Sequence, residues 1–250
     1  MNWRRVQVDR LRNVEVVLRT RLSAPDVREY GAEIVVVATG SRWAGDGLNG
    51  VTHEPLPGAD PSLPYILTPE QVMVGGKRPL GERVLVWDCE GYFTGAGLAE
   101  LLAGEGYRVE LVSALEEVAP LCNETLEGLF LRKRLHDVGV SMRRGVLLRS
   151  VGPGGARGED EFGEPLELAA DAVVLVTQRL SDDALYHELA GGEREFALYR
   201  IGDCVAPRLV ADVIFDGHRL AREIDTENPA VPLPYKRERA LARELDFPPR

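Results

Sequence analysis

The residues best suited to binding a ligand stand at the ends of two short apolar runs. The run Ile34–Val37 is followed by Ala38-Thr39-Gly40, and the run Leu198–Ile201 is followed by Gly202-Asp203. Strands that end in small residues let a ligand approach the backbone closely, and open α/β sheets bind ligands at the carboxyl ends of strands. Three valines in the first run predict a strand buried on both faces. The alternative interpretation is a core strand followed by a glycine turn.

No arrangement of nucleophile, base or metal ligands stands out in the sequence. The histidines are scattered, the serines show no G-x-S-x-G elbow, and the cysteines are far apart with no C-x-x-C. We therefore predict no catalytic residue, no zinc or iron–sulfur site and no disulfide framework in this chain. The residues in question are His53, His136, His187, His218, Cys89, Cys122 and Cys204.

Composition and charge restrict the class of protein. The chain has 250 residues, 44% of them hydrophobic and 28% charged, which allows one large globular domain or two ordinary ones. A net charge of −10 without a basic cluster argues against nucleic-acid and anionic-membrane partners. No apolar run approaches the length of about 18 residues that spans a bilayer, and no signal peptide is recognisable. Together with the few cysteines, this predicts a cytoplasmic protein.

Between the two strand ends the periodicity predicts a second α/β unit. Val84–Trp87 and Val109–Val112 have the composition of strands, and the helix Gly97–Ala103 connects them in a βαβ unit. Residues 172–177 predict another buried parallel strand. A helix is predicted over 124–138, and its inward face would comprise Leu126, Leu129, Phe130 and Leu135.

Turn and cap residues add local predictions. Thr68-Pro69 with Gln71 predicts a helix that begins in a capping box. Ser181 predicts a helix N-cap. Further predictions are helices at 2–11, 26–30 and 211–224, a strand at 14–18, and a surface hairpin loop at 152–163.

The two strand ends resemble the two signatures of two-dinucleotide-binding-domain flavoproteins. This resemblance implies an α/β chain with two Rossmann-like nucleotide-binding folds, one split and incomplete and the other inserted in it. Residues 1–45 plus 193–228 would form the split, partial FAD/ADP-binding-type domain. Residues 46–81 would be a Pro/Gly-rich connection, and 82–192 an inserted NAD(P)-binding-like domain. Residues 229–250 would be a charged C-terminal arm, either solvated or in contact with a partner subunit.

The turn after the strand at Val84 lacks most features of a pyrophosphate loop. Such a loop needs glycines so that backbone N–H groups can reach the phosphate oxygens. Here Gly95 remains, whereas Asp88 and Glu90 place carboxylates near the phosphate positions, each repulsion costing on the order of 1 kcal/mol. The next strand ends in Ser113 and not in an acidic ribose ligand. These residues argue against NAD(P) binding.

Several strings of residues together resemble one family. They resemble the C-terminal part of trimethylamine/dimethylamine dehydrogenase-like flavoproteins, which are relatives of NADH:flavin oxidoreductases, 2,4-dienoyl-CoA reductase and old yellow enzyme. The Thr39-Gly40 and Gly202-Asp203 strand ends resemble the two signatures of the wider FAD/NAD(P)-binding two-domain superfamily. The resemblance covers nearly the whole chain, and the strings are residues 37–43, 67–73, 201–208, 217–224 and 234–238.

The resemblance implies a set of cofactors and partners. Ala38, Thr39, Gly40, Gly202 and Asp203 would line an FAD or ADP site, with Asp203 facing the sugar chain. The glycine-rich turn that supplies most phosphate contacts in the family is not in this chain, so the site would be incomplete. FMN in a TIM barrel and a 4Fe-4S centre are expected only in a missing N-terminal part. The implied partners are that barrel, an electron-transfer flavoprotein and further copies in a homo-oligomer.

The function implied is that of a C-terminal module of a flavin-dependent oxidoreductase, of the amine dehydrogenase or enone/enoyl-CoA reductase type. The module would hold a nucleotide and dock an electron-transfer partner, and it would be inactive alone. Tyr92 and Phe93 are either core aromatics or part of that docking surface. The alternative is a non-catalytic Rossmann-like module for docking or oligomerisation. A complete NAD(P)H reductase is a third hypothesis, against which Asp88 and Glu90 argue.

Overall fold

The structure, a computed structural model, describes residues 2–231 and divides the chain into two compact units. The discontinuous unit comprises the residues up to Thr39 together with those from Asp183 onward, and the continuous unit comprises Gly40–Asp182. Residues 46–81, expected as a connection, lie inside the continuous unit. The chain passes between the units after Thr39 and after Asp182, whereas the expected boundaries follow residues 45 and 192. The nucleotide-binding type of each unit stays a prediction. Most of the expected C-terminal arm, and the string 234–238, lie outside the described residues.

Helices and strands alternate along the described chain, which confirms the α/β class. The helices are α1 (Asn2–Asp9), α2 (Ala24–Tyr30), α3 (Pro69–Met73), α4 (Phe93–Gly104), α5 (Gly128–Asp137), α6 (Ala184–Ala190) and α7 (Val210–Glu223). The first strands are β1 (Ile34–Val37), β2 (Ser41–Trp43), β3 (Ile66–Leu67), β4 (Arg83–Asp88), β5 (Arg108–Ser113) and β6 (Ser141–Arg143). The others are β7 (Leu147–Gly152), β8 (Gly155–Glu159), β9 (Pro165–Ala169), β10 (Ala172–Val176), β11 (Arg179–Ser181) and β12 (Ala197–Arg200).

In the discontinuous unit, β1 and β12 form a parallel pair that is covered on one face. Val37 and Leu198 from the strands pack with Val27 of α2 and Leu189 of α6. The predicted burial of β1 on both faces is wrong, because Ile34 is 45% exposed and Val36 is 38% exposed.

The predicted strand at 14–18 is also wrong. These residues adopt no regular structure and are exposed, although Val14, Val16 and Val17 have strong strand propensity. A β-branched run becomes a strand only where a neighbouring strand accepts its backbone hydrogen bonds. No described strand pairs with this segment, so the propensity has no consequence here.

The continuous unit is built on a five-stranded parallel sheet with the order β3-β10-β4-β5-β6. One face packs on α4 and α5 through Leu98, Leu102 and Leu135, which are fully buried. The other face packs on an antiparallel sheet of β7, β8 and β9. The strand β10 is buried along its whole length, as its composition predicts, and β4, α4 and β5 form the predicted βαβ unit.

Three local predictions in this part of the chain need correction. The expected surface loop at 152–163 contains β8, because Gly155 has φ +137° and lets the backbone of β9 approach where a Cβ would lie 1.9 Å from the Leu168 carbonyl oxygen. Ser181 does not cap a helix but ends β11, and α6 begins after Asp183.

The third correction concerns the face of α5. The helix begins at Gly128, so Leu131 and Leu135 face the core, and Leu135 alone of the predicted set is buried. Leu126 has φ +62° and lies before the helix. The helix therefore starts later than predicted, and a different set of side chains faces the core. The consequence is an exposed apolar set, which comprises Leu126, Leu129 and Phe130.

The predicted capping box is present at the start of α3. The Thr68 hydroxyl accepts the Gln71 N–H at 3.4 Å, and the Gln71 side-chain oxygen accepts the Thr68 N–H at 3.1 Å. Replacing Thr68 by alanine should lower the free energy of unfolding by about 1 kcal/mol, because an N–H at the helix start loses its acceptor. Urea unfolding should give a smaller change for Thr20→Ala, which lies outside any helix. Equal changes would contradict a capping role.

Candidate functional site

The two predicted strand ends lie side by side in the discontinuous unit. Val37 is opposite Arg200 in the parallel pair, and the Ile201 N–H donates to the Val37 carbonyl at 3.1 Å. Ala38 and Thr39 are exposed, so the carboxyl end of β1 is open to solvent. Gly40 begins the continuous unit with φ +85°, and no described atom lies within 4 Å of its Cβ position. The parallel pairing thus brings residues from the two ends of the chain to one edge.

Gly202 makes the turn at the end of β12. Its φ is +68°, and a Cβ at this position would lie 2.8 Å from the Val213 side chain of α7. Both the left-handed backbone and the close approach of α7 require glycine. The 3₁₀ turn Gly202–Cys204 follows, so the Asp203 carboxylate projects from a fixed turn at the strand end.

A network of hydrogen bonds holds this turn. Asp203 Oδ1 accepts the Arg208 N–H at 2.9 Å. Asp216 Oδ2 accepts the Gly202 N–H at 3.0 Å and also contacts the Arg208 guanidinium. Sequence reasoning missed Arg208 and Asp216 as supports of the turn. A signal exists, because Val213 and Asp216 are three residues apart on α7 and share one helical face.

In the continuous unit, Asp88 occupies the turn between β4 and α4. Its Oδ1 accepts the N–H groups of Glu90 at 2.9 Å and Gly91 at 3.0 Å. Its Oδ2 is buried and has no hydrogen-bond partner among the described residues. Burial raises the pKa of the Asp88 carboxyl to about 7, against the lowering effect of the Gly91 N–H, and the nearby Glu90 charge raises it further. A buried carboxyl with an unpartnered oxygen is an expensive group to retain.

Glu90 adds a second carboxylate to this turn. Its Oε1 lies 3.7 Å from Nε of Arg179, whose guanidinium lies over the Trp43 ring at 5.8 Å. Its Oε2 is buried without a described hydrogen-bond partner. Asp88 and Glu90 together make the turn acidic, as the sequence predicts. The Arg179 guanidinium partly offsets the negative charge of Glu90.

The remaining predicted features of this nucleotide-like unit have structural contacts. The Ser113 hydroxyl at the end of β5 donates to the Glu117 carbonyl at 3.1 Å and accepts the Leu115 N–H at 3.1 Å. Tyr92 and Phe93 form an edge-to-face pair with ring centroids 4.6 Å apart. Tyr92 packs partly on the core, as the first expectation has it, whereas Phe93 is 36% exposed and its part in a docking surface stays a prediction.

A glycine pattern in the continuous unit has the G-x-G-x-x-G spacing without its structural context. It comprises residues 45–50, and no helix begins there. The Asn49 side chain instead accepts the N–H groups of Val51 at 3.0 Å and Thr52 at 2.9 Å. A Cβ on Gly47 would lie 2.5 Å from Leu56. The pattern therefore forms a packed turn and not a phosphate loop.

The histidines and cysteines form no evident reactive centre in the described chain. His187 Nε2 lies 3.0 Å from Asp183 Oδ2, and the same oxygen accepts from Arg200 at 3.0 Å. The His187 side chain is 63% exposed, so this contact has the character of a surface ion pair. Between residues 2 and 231 no cluster of three or more acidic, histidine or cysteine side chains is placed to hold a metal. Likewise, no described helix combines the length and apolar character needed to span a bilayer.

Comparison with known proteins first defines the class of the chain. Residues 67–154 match the family described as OYE-like second alpha/beta domain. This range covers α3, the βαβ unit and the start of the antiparallel sheet, and so lies within the continuous unit. The fold and this match assign residues 67–154 to an α/β domain of that family.

Individual relatives then define the family. Dimethylamine dehydrogenase of Hyphomicrobium sp. (strain x) is 36% identical over 95% of this chain, which covers 36% of that protein. Histamine dehydrogenase from Rhizobium sp. 4-9 superposes with a TM-score of 0.87 at 33% identity, over 95% of this chain and 37% of that one. The 6-hydroxypseudooxynicotine amine oxidase from Pseudomonas geniculata N1 gives 0.84 at 34% identity, over 91% and 34%.

The chain is therefore homologous to the C-terminal region of dimethylamine dehydrogenase and histamine dehydrogenase, which supports the family that the sequence strings indicate. It spans about a third of the length of these relatives. The alignments with these three relatives each cover at least 91% of the chain.

Proposed function

We propose that this chain is a nucleotide-holding and partner-docking module of a flavin-dependent oxidoreductase. The complete enzyme would oxidise a small amine, in line with its relatives, or reduce an enone or enoyl thioester. The observation that carries this proposal is the joining of the Thr39-Gly40 and Gly202-Asp203 segments to the adjacent parallel strands β1 and β12. The module by itself would be inactive.

Several residues at these strand ends fit one side of an FAD or ADP site. The exposed Ala38 and Thr39 leave room for a sugar to approach the backbone, and the Asp203 carboxylate can accept hydrogen bonds from sugar hydroxyls. Arg208 and Asp216 would keep that carboxylate and the Gly202 turn in place. A bound flavin would supply the redox chemistry, and these residues would hold and orient its nucleotide portion. FMN and 4Fe-4S chemistry would come from other parts of the protein.

The continuous unit would hold no NAD(P). The turn between β4 and α4 carries the buried carboxyl group of Asp88, and Glu90 adds a second acidic side chain, so the turn would repel the phosphates of a dinucleotide. Such an arrangement supports electron transfer to a protein partner in place of a nicotinamide. We propose an electron-transfer flavoprotein as that partner, with Phe93 on the docking surface and a homo-oligomer as the working assembly.

The experiment that tests the proposal is a nucleotide titration of the purified chain. ADP should bind weakly, with a Kd on the order of 100 μM, because one side of the site is present without a phosphate-binding turn. Calorimetry should show that Asp203→Ala weakens ADP binding by about tenfold, while Asp225→Ala, at an exposed position, leaves it unchanged. Flavin absorbance of the purified chain would also support a nucleotide site in the chain.

Two other outcomes of the titration would favour a different function. A folded chain that binds neither ADP nor FAD would favour the alternative of a non-catalytic module for docking or oligomerisation. Tight binding of NADH would contradict our interpretation of the acidic turn and favour an NAD(P)H reductase. Both can be read from the same titration series, with circular dichroism as the check on folding.

A further inference from the structure

The turn between β4 and α4 contains backbone donors that face a carboxylate of the chain itself. In a dinucleotide-binding turn, N–H groups of the turn and of the first helical residues point at a phosphate. Here the N–H groups of Glu90 and Gly91 both donate to Asp88 Oδ1. These two N–H groups are therefore already hydrogen-bonded, and their acceptor is a side-chain oxygen of the last residue of β4.

The second oxygen of Asp88 lies against the start of α4. A Cβ on Gly95, in the first turn of that helix, would lie 2.8 Å from Asp88 Oδ2 and 2.7 Å from its carboxyl carbon. The helix has no side-chain cap, since its N-cap residue is Tyr92. Asp88 is completely buried, and Oδ2 has no hydrogen-bond partner among the described residues. A buried, unpartnered carboxylate oxygen thus points into the positive end of a 12-residue helix.

We propose that the Asp88 carboxyl group occupies the phosphate position of the β4–α4 turn and thereby closes a latent site for pyrophosphate groups. The carboxylate takes up the turn donors with one oxygen and lies at the helix end with the other, as two oxygens of a bound phosphate would. Glu90 acts with it by adding negative charge at the mouth of the turn. The inference deepens the proposed absence of NAD(P) from the continuous unit by naming the group responsible.

The first experiment follows backbone amide resonances of the ¹⁵N-labelled full chain during a titration with inorganic pyrophosphate. In the wild type the Gly91 and Gly95 resonances should not move. In Asp88→Ala they should shift in a saturable manner, with an apparent affinity at least about tenfold above that of the wild type. Adding Glu90→Gln should strengthen binding further, by about fivefold, since one repulsive charge is removed.

Asp88→Asn is the matched control. Asparagine retains an oxygen for the Glu90 and Gly91 N–H groups and the volume against Gly95, so pyrophosphate should remain excluded. A folded Asp88→Ala whose Gly91 and Gly95 resonances ignore pyrophosphate would overturn the proposal, as would wild-type binding at the same affinity. The readout lies in the continuous unit, so it is independent of the ADP test of the discontinuous unit.

A second measurement needs no variant that removes the side chain. The titratable groups around Asp88 are Glu90 in the same turn, the Cys89 thiol and the Cys122 thiol, with Arg179 beside Glu90. If the carboxylate engages the turn donors, the Glu90 and Gly91 amide resonances of the wild type should titrate in one step near pH 7. This step should be absent in Asp88→Asn. A step that persists unchanged in Asp88→Asn would show that another group titrates there and would overturn the proposal.

Discussion

Asp88→Asn should make the chain more stable at alkaline pH while changing its stability little at pH 5. Between pH 5 and pH 8 the wild type should lose about 3 kcal/mol of unfolding free energy that the variant retains. The reason is that Asp88 is completely buried, with one carboxyl oxygen unpartnered among the described residues. Burial favours the neutral acid, and asparagine is neutral at every pH.

The loss of stability with rising pH follows from the number of protons that the folded and unfolded states bind. Burial raises the pKa of Asp88 from 3.8 to about 7 in the folded chain, whereas in the unfolded chain the group ionises near its ordinary value. At pH values between these two, the folded protein therefore holds one more proton than the unfolded protein. The contribution to stability is fully present below about pH 4 and is lost as the pH rises through about 7.

Urea unfolding at several pH values, followed by tryptophan fluorescence, checks this expectation. Trp43 and Trp87 both lie in the continuous unit and report on its unfolding. Asp225→Asn removes an exposed carboxylate and should follow the wild-type pH dependence. An Asp88→Asn variant whose pH dependence parallels that of the wild type would show that the folded chain accommodates the charge at no cost.

Much of the continuous unit could be predicted because its signals are local and agree with one another. The residues that form β10 are apolar throughout, and a strand buried on both faces needs only that. The capping box at Thr68 combines three residues within four positions, and the structure confirms all of them. Where several local preferences agree, the tertiary structure has little reason to override them.

The failures have a common cause, since each depends on whether another element pairs with the segment or covers it. The segment at Val14 has strand propensity but no described pairing partner. The strand β8 forms from glycine-rich residues because β9, several residues later, offers it an edge. Ile34 and Val36 remain 45% and 38% exposed although the composition of β1 favours a buried strand. Pairing and coverage of this kind cannot be derived from propensity alone.

Part of the candidate site could be predicted because its residues carry local sequence signals. Gly202-Asp203 and Thr39-Gly40 carry short signals, and the parallel pairing of β1 with β12 places the strands that bear them together. Asp216 was missed, although it shares a face of α7 with Val213, because its contact with the Gly202 N–H depends on how α7 returns to the end of β12. The assignment of these residues to a nucleotide site stays a prediction until ADP binding is measured.

The second large effect is expected from Gly202→Ala. Two costs add at this position: a left-handed backbone at φ +68°, and a Cβ that would lie 2.8 Å from the Val213 side chain. The backbone cost for an L-residue is about 1–2 kcal/mol, and crowding in a packed contact adds about 1–2 kcal/mol more. We expect the discontinuous unit to lose about 2–4 kcal/mol of stability, which hydrogen exchange in peptides from β12 and α7 would report.

Gly40→Ala separates the two costs, since Gly40 has φ +85° but no described atom within 4 Å of its Cβ position. This variant should show the backbone cost alone, about 1–2 kcal/mol. Val213→Ala combined with Gly202→Ala should be less unstable than the two single changes add up to, by about 1 kcal/mol, because the contacting methyl is gone. Strict additivity would mean that α7 moves aside freely. In that case the Gly202 turn, and with it Asp203, would not be held in a fixed position by α7.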